Sequence, residues 1–105
     1  MQNDKKFDET LLQAIDEALA TLGEPIKKIV YFHIENKYLL KVQDIPDNPE
    51  LFALALNSLL GAGGAYIETL VLKKICQRFG LKFERLEHAK FELALEELKA
   101  KKLAM

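Results

Sequence analysis

The chain has 105 residues, which suits a single domain whose core needs neither metal nor disulfide. Half of it is apolar and 30% charged, a balance that fits a solvated globule rather than disorder, and fifteen basic against sixteen acidic residues leave a net charge of −1, without the basic excess of a general nucleic-acid binder. The single cysteine, Cys76, rules out an internal disulfide, no apolar run nears the ~20 residues of a membrane span, and the polar start "MQNDKKFDET" lacks a signal peptide's apolar stretch, so the expectation is a soluble, cytoplasmic protein with no membrane association.

Helical periodicity fills the intervals between glycines and prolines. The first helix is expected over Asp8 to Leu22, where Leu11, Leu12, Ile15, Ala18, Leu19 and Leu22 share one face and Gly23 ends the run. "GEPIKK" starts a second helix, with Pro25 in the first turn and Glu24 favourable at the positive end of the helix dipole. Ile26, Ile29, Val30 and His33 form its expected inner strip, with Phe32, Ile34 and Tyr38 widening it, and the helix ends near Tyr38. "IVYF" also reads as a strand, but no second good strand exists to pair with it.

"KVQDIPDNPE" is read as irregular, since each proline disfavours helical geometry at the residue before it. Asp47 or Asn48 can cap a third helix that has Pro49 just inside and runs to about Leu60. Its leucines and alanines cover so much of the wheel that burial on more than one side is expected. A fourth helix follows from about Ala65 to Phe79, with Ile67, Leu70, Val71, Ile75 and Phe79 inward and Tyr66 and Leu72 outside that stripe. The fifth is expected over Phe83 to Lys102, which at ~1.5 Å per residue is ~30 Å long. The fold class is therefore all-α: a compact array of about five helices in one domain, the last one long.

"LLGAGGAYIE", Leu59 to Glu68, carries three of the five glycines. A phosphate loop needs a following Lys and Ser or Thr, and a dinucleotide loop follows a strand; "AYIETL" supplies neither. The reading is a helix–helix turn: Gly61 ends one helix, and Gly63 and Gly64 turn the chain before the next. An anion at the free N–H groups of the fourth helix is the alternative. The same two helices around a short turn also suggest a DNA-binding helix-turn-helix. Tyr66, Glu68 and Thr69 stand where base-reading donors belong, which argues against it.

His33 and His88 are far apart and lack metal-ligand spacing; His88 reads as a solvated surface residue and His33 as a half-buried, hydrogen-bonded one. Cys76 reads as a buried structural thiol. The carboxylates lie on helix faces balanced by lysine, and no nucleophile–base–orienter set emerges. No catalytic residue, metal ligand or cofactor site is assigned. What remains is surplus apolar surface around Tyr31, Phe32, Tyr38 and Leu39, a pattern that marks contact with a partner or another copy.

The aromatic-bearing helix ending in "NKY", then "DIPDNPE" before a helix, then a glycine turn into "IETLVLKKICQRFGL" resembles the Nitrosopumilus output domain family of archaea, over Glu24 to Leu81. The resemblance implies a small helical output or accessory module of signalling proteins, without catalytic residues to carry over. The resulting expectation is a non-enzymatic interaction or regulatory module that self-associates, as a homodimer, through Tyr31, Phe32, Tyr38 and Leu39. The alternative is a nucleic-acid-associated regulator using Lys73, Lys74, Arg78 and Lys82 as a local basic strip.

Overall fold

Five α-helices carry the chain: α1 Lys5–Ala20, α2 Glu24–Tyr38, α3 Pro49–Leu60, α4 Ala62–Phe79 and α5 Phe91–Leu103. A 3-10 helix, Val42–Asp47, lies between α2 and α3. This computed structural model describes residues 5–83 and 90–104, and among them there is no strand. The Cα radius of gyration, 13.1 Å, is that of a single globule of about a hundred residues.

α1 packs by one face. Leu11, Ala14, Ile15, Ala18 and Leu19 fall at three- and four-residue spacing and are buried, and α4, α2 and the 3-10 helix all pack against this helix. Phe7 extends the stripe by stacking on Phe79 of α4, with ring centroids 6.0 Å apart. α3 contributes Phe52, Ala55 and Leu56 to the core, and α4 contributes Ile67, Val71, Leu72 and Ile75. α5 closes the assembly with Phe91, Leu95 and Leu98 and packs on α3 and α4.

Several expectations are corrected. The last helix is not long: α5 has 13 residues, and Phe83, its expected start, is outside any helix. His88 lies outside the described residues. The segment read as irregular winds into the 3-10 helix, whose Ile45 is fully buried. Pro49 opens α3 as expected, but Asn48 does not cap it with its side chain; its Nδ2 donates back to the Asp44 carbonyl at 3.0 Å. Leu72, read as lying off the core, is buried within it.

The glycine turn is tighter than the sequence suggests. One residue, Gly61, separates α3 from α4, at φ 57° and ψ −130°, a conformation that disfavours any side chain. Gly63 and Gly64 already belong to the first turn of α4. A Cβ on Gly64 would lie 3.0 Å from the Asn57 Cα and 2.5 Å from its Oδ1, so the absent side chain is what lets the two helices approach. Asn57 in turn donates from Nδ2 to the Ala53 carbonyl at 2.8 Å and to Oε2 of Glu68 at 2.6 Å, and Glu68 is buried.

The two glycines should therefore respond oppositely to alanine. Gly64→Ala forces backbone against backbone and should destabilise the fold by about 1–3 kcal/mol. Gly63→Ala meets only Leu60 Cβ, at an ordinary 3.6 Å, and should stabilise by up to about 1 kcal/mol through helix propensity. Chemical denaturation of the two variants checks the pair; equal effects would contradict the close approach.

Candidate functional site

α2 is held by one face and open on the other. Its inner side buries Val30 and Ile34, and Tyr31 and Tyr38 pack partly against the core. Two side chains tie it to α1 through a single carboxylate. Lys27 Nζ lies 3.2 Å from Asp16 Oδ2, and the Tyr31 hydroxyl donates to Asp16 Oδ1 at 3.2 Å. Lys27 also pairs with Glu24 at 3.2 Å. The hydrogen bonds that Lys27 donates to Glu24 and Asp16 raise its pKa. Burial, followed by the Asp16 charge and hydrogen bond, pushes the Tyr31 phenol well above its usual range.

The outer side is apolar and uncovered. At 100° per residue, Pro25, Ile29, Phe32 and Asn36 run along one line, with Ile26 and His33 beside it. Ile29 is 53% exposed, Phe32 69% and Ile26 38%. Leu39, at the C-cap, is 85% exposed and sits at φ 54° and ψ 37°, the left-handed region that normally takes glycine. A leucine there costs about 1–2 kcal/mol relative to a right-handed conformation.

Of the four residues first assigned to an interface, the structure thus exposes Phe32 and Leu39 and anchors Tyr31 and Tyr38. Ile26 and Ile29, placed on the inner strip by the periodicity, turn out to face outward. The signal that could have found them is Asp16: a carboxylate able to satisfy Lys27 allows that lysine to lie inward along its apolar stem. His33 is half-buried as expected, its ring edge-on to Tyr38 at 5.7 Å, but its Nε2 is enclosed without a hydrogen-bond partner.

The four basic residues of the alternative reading do not form one strip. Lys74 pairs with Glu17 at 3.5 Å and shares with Arg78 a groove of about 270 Å³ between α1 and α4, which Thr10 and Gln77 also line. Lys73 lies over the Phe83 ring, 5.7 Å from its centroid. Lys82 lies by Glu97 and Lys101 of α5. Cys76 is a buried thiol 3.9 Å from the Lys82 carbonyl, and burial raises its pKa, which keeps it protonated and unreactive at neutral pH. Among the described residues, no cluster of three His, Cys, Asp or Glu could hold a metal, and no helix is long and apolar enough to cross a membrane.

No protein-family model matches the chain, and no curated protein matches it. The fold is similar to the crystal structure of PH0832 from Pyrococcus horikoshii OT3, with a TM-score of 0.73 over 90% of this chain and 96% of that one. At 18% identity, the likeness is one of fold.

Tyr31 gives the anchored face a pH signature. Its folded pKa is raised, so the stability it contributes is complete below the ordinary phenol value near 10 and is lost as pH rises through the folded value. Lys27, also raised, has the same sign. Tyr31→Phe should cost about 1 kcal/mol at neutral pH. That deficit should shrink above about pH 10, where wild type loses the contribution. Thermal midpoints measured against pH check this, and a constant deficit would contradict it.

Proposed function

We propose that this chain is a non-enzymatic interaction module that presents the outer face of α2 to a protein partner. The observation that carries this reading is the apolar line Ile29–Phe32, continued by Leu39, on a helix whose opposite face is fixed to α1. Contiguous exposed apolar surface of this kind marks contact sites in soluble proteins. The resemblance of the sequence from Glu24 to Leu81 to the Nitrosopumilus output domain family points the same way, because domains of that family are described as output or accessory modules of signalling proteins.

A photo-crosslinking amino acid placed at Phe32 in the source cell should give a protein adduct, and one at the exposed Gln77 of α4 should not. Equal yields, or none from position 32, would overturn the reading.

The nucleic-acid reading has less behind it. Its four cations are divided between two sides of α4, where Glu17 engages Lys74 and the Phe83 ring engages Lys73. It predicts duplex binding that falls steeply as salt rises. The expected outcome is no mobility shift even at low salt.

A further inference from the structure

We propose that the partner of the α2 face is a second copy of this chain, docked about a two-fold axis with the two α2 helices antiparallel. This rests on the reading of that face as an interaction surface, and adds its occupant and its register.

Spacing supplies the first argument. Pro25, Ile29, Phe32 and Asn36 alternate by four and three residues, the a/d seam of a heptad repeat. Ile26 and His33 flank the seam on one side, and Lys28 and Glu35 flank it on the other. Lys28 and Glu35 are both exposed, and among the described residues neither takes part in an ion pair.

Charge complementarity supplies the occupant and the direction. When two copies of a helix pack antiparallel, the same flank of each meets. Lys28 of one copy then faces Glu35 of the second, and symmetry repeats the pair. Ile29 lies level with Phe32 of the second copy, and Leu39, at the C-terminal end of one α2, comes near the N-terminal end of the other, where Leu22 is exposed. A parallel pairing would instead set Lys28 against His33 and leave Glu35 without an opposite charge.

Area and backbone agree with this arrangement. Leu22, Ile26, Ile29, Phe32 and Leu39 together leave on the order of 500 Å² of apolar surface open, against the roughly 800 Å² per partner of a standard interface, with Lys28 and Glu35 as its polar rim. Leu39 holds a left-handed conformation that glycine would adopt without strain, and its side chain gains nothing from the core. Contact with a second copy gives that side chain a use.

The test is sedimentation and light scattering of the full chain across concentration, with circular dichroism confirming that each variant folds. Wild type should pass from monomer to dimer, and Phe32→Asp should abolish the dimer. Lys28→Glu and Glu35→Lys should each weaken it roughly five- to tenfold, and the double exchange should restore it. Leu39→Gly should raise the thermal midpoint of the dilute monomer while weakening the dimer. A strict monomer at high concentration, or a dimer indifferent to Phe32→Asp, overturns the second-copy proposal. A double exchange that fails to restore the dimer overturns the antiparallel register. If the protein is monomeric but position 32 still crosslinks to another protein, the interaction reading survives and only the identity of the occupant falls.

Discussion

The buried face of α1 is the constraint on which the other elements depend. Its buried stripe, no side chain of which exceeds 3% exposure from Leu11 to Leu19, meets α4, α2 and the 3-10 helix together. α2 reaches this core from one side, where it packs on α1 and α3, and it carries two apolar faces. Val30 and Ile34 meet the core, so Ile29 and Phe32, about a third of a turn or more away, have nothing left to pack against.

The close approach of α3 and α4 rests on different chemistry. Gly61 turns the chain in one residue, and Gly64 lets the Asn57 backbone come within a contact that a methyl would block. The Asn57 amide then bridges Ala53 of its own helix to the buried Glu68 of α4. This part-buried contact adds little net stability, but it favours the observed register, because a slip parts the Asn57 amide from the Glu68 carboxylate. The direction of α4, and hence the surface that α1 buries against, follows from that register.

The number and class of helices were legible because glycine and proline mark ends through backbone geometry, a local property. The bounds of α2 emerged correctly for that reason. Its orientation did not, since a helix apolar on both sides has no unique inner face, and the deciding contact, Lys27 and Tyr31 on Asp16, joins residues on two different helices. The Gly63–Gly64 pair was misread in the same way: the sequence shows glycines, but whether they bend the chain or admit a neighbouring backbone depends on Asn57 across the junction. The length of the last helix was overstated because apolar spacing continues upstream of Phe91, where periodicity alone carries no stop signal. Three of the four candidate interface residues are aromatic, and aromatic content picks out large side chains without regard to face, so Tyr31 and Tyr38, which pack against the core, stand beside the exposed Phe32 and Leu39.

An uncovered apolar face is useful for binding only if it is held still. A mobile helix would have to be ordered when a partner arrives, at a cost taken from affinity. Asp16 removes much of that cost in advance: two donors from successive turns of α2 converge on its two oxygens, which fixes both the rotation and the tilt of the helix against α1. The same clamp explains why Lys27 and Tyr31, the most polar members of the inner side, lie there rather than in solvent. Leu39 then sits at the end of a rigid rod, in a conformation that does not favour the monomer. Anchoring on one face and strain at the end of the other are hard to reconcile with a helix whose only task is to complete this core. They are coherent for a helix that completes the core with one side and an interface with the other.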